Sequence, residues 1–256
     1  MKTKLTITAL VMLFSGALFS QSAQEIIQKS TELIDISSME MVATLKIMDA
    51  KGNVRERQIT TASKKFGDVN KMLIKFIAPA DVKGTSLLVY DYDTKSDNMW
   101  IYMPALRKVR RIVSTEKGKS FIGSEFSNAD MSKPNVIDFN YSVLGSENFQ
   151  GKTCWKILQN CKTPAIETEN GYSKKISLIY KSSNLCYKVE YYDFSGKLHR
   201  VQLLDNYKKQ SNGKYFSYFM QMENVQTGRK SVMTVDKFQA GSHLPESAFS
   251  PAALDK

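Results

Sequence analysis

Histidine and cysteine are scarce in this chain of 256 residues, with 2 and 3 copies, and that scarcity removes whole classes of chemistry. His199 and His243 have no ligand-like or nucleophile-bearing neighbours in the sequence, so the clusters that metal sites and general-base catalysis need are missing. The G-x-S-x-G elbow, the G-x-G-x-x-G turn and the phosphate loop are absent too, and "GSEFS" at 123–127 has the wrong spacing for the first of them. Asp91, Asp93, Glu125 and Asp130 could pair as carboxylates, but no spacing singles out a catalytic couple. The expectation is a protein that is not an enzyme and uses no metal or cofactor.

The three cysteines exclude a disulfide framework. Cys154 and Cys161 flank "WKILQN", and seven residues of straight strand span roughly 23 Å at about 3.3 Å each, too far for a bond unless the chain bends. Cys186 could reach either from a neighbouring strand. Three free thiols and one bridge therefore both stand open.

Long apolar runs are also lacking, with one exception. "ITALVMLFSGALF" follows Lys2 and Lys4 and precedes "SQSAQ"; it falls short of the roughly 20 residues a membrane-spanning helix needs. The order of basic start, short apolar run and small-residue zone is that of a secretory signal peptide. Residues 1–22 are expected to be that leader and 23–256 one domain, since no repeat, low-complexity tract or long Pro/Gly/Ser linker divides them. No cysteine sits near the cleavage zone to take a lipid, so the mature chain is expected to be soluble outside the cytoplasm. Loss of Lys2 and Lys4 lowers the formal charge from +11 to +9. An exported basic protein meets anionic headgroups, anionic polymers or acidic partners, and nucleic acid is excluded by address.

What is present is a helix followed by many strands. "AQEIIQKSTELI" sets Ile26, Ile27, Leu33 and Ile34 at helical spacing, which predicts an amphipathic helix over about Ala23 to Asp35. "MEMVATLKIMD" alternates, "NVRERQITT" is charged and reads as an edge strand, and "KMLIKFI" and "TSLLVYDYD" are apolar on both faces. In 185–192, Leu185, Tyr187, Val189 and Tyr191 share one face and Cys186, Lys188 and Glu190 the other. "TENGY", "DFSGK" and "QSNGK" read as turns. Roughly ten strands joined by short hairpins must curl or split. The expected fold is mainly β: a curved antiparallel sheet forming an unclosed half barrel, its concave face filled by the N-terminal helix and a short helix or loop plug from about Gly118 to Pro134.

One stretch stands apart, "MWIYMPALRKVRRIVSTEKGKSFIGSEFSNADM" at 99–131. Met99, Ile101 and Met103 alternate with Trp100 and Tyr102, so neither face of that strand is an ordinary solvent face. Methionine is deformable and polarizable, suited to irregular apolar partners. After Pro104 the chain returns with Lys108 and Arg110 on one face, and Arg107 and Arg111 on the other. These four cations are expected to be a solvated surface, a rim for anionic headgroups, or a docking site. Phe121, Ile122 and Phe126 lie in a loop and must bury somewhere, before a possible short helix capped at Ser127 or Asn128. Met99, Trp100, Ile101, Tyr102, Met103, Phe121, Ile122 and Phe126 are the candidates for an apolar cavity.

The succession "KFIAPADVKGTSLLVYDYD", "MWIYMPALRKVRRI", "KGKSFIGSEFSNADM" and "LPESAFSPAALDK" resembles the outer-membrane lipoprotein-sorting-like proteins, relatives of the periplasmic lipoprotein carrier LolA. The resemblance implies a periplasmic protein of a Gram-negative envelope, an unclosed β-barrel holding acyl chains or another lipid on its concave face, and partners that include inner-membrane transporters of the resistance-nodulation-division type. The function expected is a lipid or lipoprotein-acyl carrier acting as a monomer; the alternative is an accessory protein that docks on a transporter and carries no ligand.

Overall fold

The computed structural model describes residues 22–255. The expected leader lies outside these residues except for Ser22, whose hydroxyl accepts from the Glu25 amide at 3.2 Å while the Glu25 carboxylate accepts from the Ser22 amide at 3.0 Å. This reciprocal cap opens α1 (Ala23–Ile34), an arrangement that stabilises a helix start by about 1 kcal/mol. Among the described residues no helix is long and apolar enough to cross a membrane.

Two meanders follow. The first is β1 (Ser38–Met48), β2 (Val54–Phe66), β3 (Val69–Ala78), β4 (Ser86–Tyr92), β5 (Asn98–Met103) and β6 (Lys108–Ile112). A segment containing α2 (Ser114–Lys117) leads to the second: β7 (Phe139–Phe149), β8 (Lys152–Cys161), α3 (Pro164–Asn170), β9 (Lys174–Tyr180), β10 (Cys186–Tyr192), β11 (Leu198–Lys209), β12 (Tyr215–Asn224) and β13 (Arg229–Ala240). Antiparallel pairing of β1 with β13 joins both meanders into one sheet of 13 strands, ordered β6-β5-β4-β3-β2-β1-β13-β12-β11-β10-β9-β8-β7. Flat, such a sheet is roughly 60 Å wide at about 4.8 Å per strand. Yet Ile112 of β6, Phe139 of β7 and Met233 of β13 belong to one buried cluster, so the sheet is curled, and it is not closed because β6 and β7 do not pair. This is the expected half barrel.

Its two free edges are consecutive in the chain, so residues 113–138 must run from one to the other across the concave side. That is the topological reason for a plug. The convex side of the first meander has its own cover: Phe249 and Leu254 pack on Ala62 and Leu88, with Trp100 and Tyr102 beside them. Covers on both sides explain why β4 is buried along nearly its whole length.

Several sequence expectations need correction. β2, read as an edge, lies between β1 and β3; its charged residues belong to a long ribbon whose outer end is exposed, not to a sheet edge. No strand was expected over Phe139–Phe149, because most of β7 is exposed and its alternation is weak. "TENGY" is no simple turn: Thr163 caps α3, and Gly171 ends it with φ 78°. A register shift between Cys186 and Lys188 breaks the alternation of 185–192 and turns Cys186 to the side of Val189 and Tyr191. Of the two states left open for the cysteines, the structure has the three free thiols. After Asn128 the expected short helix is a single 3-10 turn, Ala129–Met131.

Candidate functional site

The plug is built from the "KGKSFIGSEFSNADM" segment, and its shape follows from its glycines and serines. The Phe121 amide donates to the Phe126 carbonyl at 2.7 Å and the Ser124 hydroxyl to the Phe121 carbonyl at 2.7 Å. Gly123, with φ 75°, supplies the turn. This tight loop drives both phenylalanines inward, to 0% and 2% exposure, and sets the Phe121 ring 5.6 Å from that of Phe76. Behind it, a Cβ on Gly118 would lie 2.6 Å from the Gly171 Cα. Only glycine lets α2 approach the end of α3 so closely.

Three arginines from the sheet hold the plug down. Arg57 of β2 donates to the Ile122 carbonyl. Arg200 of β11 donates to the Glu125 carbonyl at 3.1 Å and pairs with Asp130 at 2.6 Å. Arg229 of β13 pairs with Glu125 at 2.8 Å. The Ser231 hydroxyl accepts from the Glu125 amide at 2.9 Å, and Asp130 accepts from the Ser127 amide at 2.7 Å. The acidic residues of "GSEFSNADM" are therefore the plug's fastenings. At the other side, buried Lys117 of α2 donates to Ser96 at 2.9 Å and pairs with Glu169 of α3.

The plug and α1 do not fill the concavity. A chamber of about 250 Å³ remains, lined by six methionines, Met39, Met41, Met72, Met131, Met220 and Met233, with Ile59, Ile74 and Phe126 among its other walls. Ile34 and Ile36 bound it where α1 passes into β1. Asp91 sits at its polar end, its carboxyl pushed up to about 6, first by burial and then by the charge of Asp97, with Lys133 opposing. Lys133 also ties the plug to the end of α1 through Asp35 at 2.9 Å. A second chamber, about 270 Å³, adjoins the first at Ile34, Asp130, Lys133 and Gln202, and is lined by Tyr141, Tyr172, Lys175, Ser177 and Tyr191. Ligand pockets commonly measure roughly 300–1,000 Å³, so the two together are of ordinary size. A larger groove, about 440 Å³, lies on the convex side between Leu244 and the β1–β3 surface, with Glu40, Lys75 and Lys237 on its walls. Among the described residues no group of His, Cys, Asp and Glu is arranged to hold a metal ion.

The eight apolar candidates divide. Phe126 lines the methionine chamber. Phe121, Met99 and Ile101 are in the same concave core, with Met103 and Ile122 packed against it. Trp100 and Tyr102 face the opposite side, in the cluster under the C-terminal segment. The four cations divide as well. Arg110 pairs with Glu116 of the plug, Arg111 donates to Asn98, and Arg107 closes the 3-10 turn after β5 with φ 46°; all four, Lys108 included, are exposed. Sequence reasoning missed Arg57, Arg200 and Lys175. Their signal was phase: Arg57 keeps step with Ile59, and Lys175 with Ile179, on inward-facing positions.

A protein-family model described as uncharacterized protein-like matches residues 68–256. Among solved structures, a domain named for outer-membrane lipoprotein sorting, from Vibrio parahaemolyticus, is 27% identical over 91% of this chain and 98% of that one, with a TM-score of 0.84. A DUF1329 family protein from Desulfovibrio piger is 28% identical over 91% and 97%, with a TM-score of 0.84. A LolA superfamily protein from Nitrosomonas europaea, 19% identical over 90% and 98%, has a TM-score of 0.71 and shares the fold. Among curated proteins none matches the chain.

Proposed function

The chain belongs to the DUF1329 family of outer-membrane lipoprotein-sorting-like proteins, and on that premise we propose that it is a carrier that takes a lipid or a lipoprotein acyl chain into the methionine-lined chamber and hands it between envelope components. The observation that carries this reading is the chamber itself: six methionines around an unfilled space. A core built only for stability closes such voids, because each leaves side chains without partners. Methionine walls instead adapt to a guest of irregular shape. Each methylene buried contributes about 0.8 kcal/mol, so a long chain binds without specific polar contacts, and no covalent step is needed.

Residues 1–22 are assigned as a cleavable leader and the periplasm as the compartment. Phe126 acts as chamber wall; Met99, Ile101, Met103, Phe121 and Ile122 support the plug above it. Native mass spectrometry of protein purified from its own envelope tests the reading. A co-purifying lipid mass, together with displacement of an apolar fluorescent probe by long-chain amphiphiles, is expected. Bare polypeptide that binds no probe sinks it.

A second reading has its own observation. β6 is a sheet edge, and with Arg107 beside it carries four exposed cations, a surface suited to an acidic partner such as an inner-membrane transporter of the resistance-nodulation-division type. Docking of this kind is compatible with carriage, and becomes the whole function only if the chamber binds nothing.

A further inference from the structure

The second chamber differs in chemistry from the methionine-lined one, because a buried ammonium lies in its wall. Lys175 of β9 is 7% exposed and lines this chamber beside Ser177 and Ile179. Five lysines and arginines are buried in the described residues. Four have polar partners: Arg57 the Ile122 carbonyl, Lys71 Glu246, Lys117 Glu169, and Arg200 Asp130. Lys175 alone among them makes neither a hydrogen bond nor an ion pair, and its ammonium lies 5.1 Å from the centre of the Phe139 ring and 5.7 Å from that of Tyr172. Aromatic faces attract a cation but do not replace the oxygen acceptors it loses on leaving water.

The carboxylate whose charge favours the Lys175 ammonium, Asp130 in the same chamber, makes no ion pair with it. Asp130 of the plug is committed to Arg200. The thiols of Cys161 on β8 and Cys186 on β10 are pushed up to about 12, chiefly by burial, and stay neutral; burial raises the Tyr172 and Tyr191 phenols likewise. Burial lowers Lys175 itself to about 8, which leaves it mostly protonated at neutral pH. Two more donors share the chamber: the Tyr172 hydroxyl and the Gln202 amide group, whose oxygen already accepts from Tyr191 at 2.8 Å. Gln159, across the strand pair from Lys175, donates to Ser177 and keeps its oxygen as an acceptor, but a protonated amine with a phenol and an amide donor in the same half-open space suits a small anion.

We propose that Lys175 is the counter-charge for the carboxylate headgroup of a single-chain amphiphile whose chain passes Gln202 into the methionine-lined chamber. Gln202 lines both spaces. From Lys175 on β9 to Met233 on β13 is four strand spacings, roughly 19 Å along the sheet at 4.7–4.9 Å each, a span that a long acyl chain covers. The inference rests on the carrier reading and narrows its ligand from any apolar chain to one with a small anionic head.

Displacement of the neutral probe Nile red by palmitate and by hexadecanol tests it on the purified, delipidated protein. Palmitate is expected to displace the probe at a concentration about tenfold lower, the order expected for a hydrogen bond to a charged group. That advantage should shrink as pH rises past about 8, where Lys175 loses its proton. Lys175→Met should bring the palmitate-to-hexadecanol ratio close to one. Equal displacement by both in the parent protein overturns the inference and leaves the carrier reading standing, whereas displacement by neither overturns the carrier reading and the inference with it. The parent comparison needs no variant, so a Lys175→Met chain that fails to fold does not protect the proposal.

Discussion

Strand β5 buries both of its faces, and the two are covered in different ways. On the convex side Trp100 and Tyr102 lie under the last residues of the chain, with the Tyr90 and Trp100 rings 4.9 Å apart and the Tyr90 hydroxyl donating to the Phe249 carbonyl at 2.7 Å. On the concave side Met99 and Ile101 meet Phe121 and Phe126 of a plug that is fastened by Arg57, Arg200 and Arg229. The first cover rests on aromatic packing, with the Lys71–Glu246 pair at 2.6 Å as a fastening. The second is held at a few charged points and leaves methionine-lined space between them. Apolar alternation on both faces of one strand thus encodes two unlike surfaces, and the proposed carriage belongs to the one that keeps methionine-lined space.

The largest expected effect breaks the clamp. Asp130→Ala leaves the Arg200 guanidinium, 5% exposed as a residue, without its carboxylate, and stranding one member of a buried pair costs about 3–5 kcal/mol. Urea unfolding should register that loss. Replacing both members, Asp130→Leu with Arg200→Met, should recover most of it, because a buried pair exchanged for apolar groups is often neutral. Recovery would show the pair holds the plug through neutralised charge; no recovery would mean its geometry is needed as well.

The next pair of variants sharpens the contrast between faces. Trp100→Ala, on the convex side and only partly buried, should cost roughly 2 kcal/mol, less than the 3–5 typical of a fully buried aromatic, and leave probe affinity as it is. Met220→Trp, in the chamber wall, should cost about 1–3 kcal/mol by overpacking while abolishing probe binding. If Trp100→Ala weakened binding more than Met220→Trp, the ligand space would lie on the convex side.

A pH effect of up to about 3 kcal/mol, the equivalent of a two-unit shift, is expected from Asp91. Its carboxyl, pushed up to about 6 in the folded chain, ionises near 3.9 when unfolded. The native state therefore holds this proton more tightly, and the group's contribution is most favourable below about pH 4 and declines as pH rises through 6. Asp91→Asn should gain stability relative to the parent between pH 4 and pH 7, as measured by denaturant midpoints. A constant difference across that range would show that Asp91 does not titrate in the chamber.

Much of this architecture was legible because it is local. The helix and its start, the alternation of β5 and the inward burial of Phe121 and Phe126 follow from spacing and from the cost of exposing large apolar side chains. What escaped is non-local. The β1–β13 pairing joins residues at opposite ends of the chain, and without it nothing says that Trp100 faces the C-terminal segment while Met99 faces the plug. The six chamber methionines come from β1, β3, β12, β13 and the plug, so no window of sequence contains the site. Arg57, Arg200 and Lys175 were visible only as charges in phase with inward apolar neighbours, a signal that reads as a solvent face until the register is known.

The smallest effect on stability and the sharpest on partners is expected at β6, where the two faces reach the sheet's edge. Lys108 and Arg110 continue the concave side, with Arg110 paired to Glu116; Arg111 continues the convex side beside Asn98, and Arg107 stands outside the strand. Exposed pairs of this kind contribute about 0–1 kcal/mol, so glutamine at all four positions should leave the fold intact. Two paired variants then separate the roles. Lys108→Gln with Arg110→Gln removes charge at the mouth; a headgroup rim predicts weaker binding of anionic lipids, with a neutral probe unaffected. Arg107→Gln with Arg111→Gln removes charge from the outer side; a docking surface predicts loss of co-purification with a membrane partner while the chamber still fills. Either contact should weaken as salt rises, since exposed charges are screened over about 8 Å at physiological ionic strength, whereas chain uptake into the methionine-lined space should not follow that dependence. Parent-like behaviour of both variants at low salt would make the four cations solvated surface and remove the docking reading.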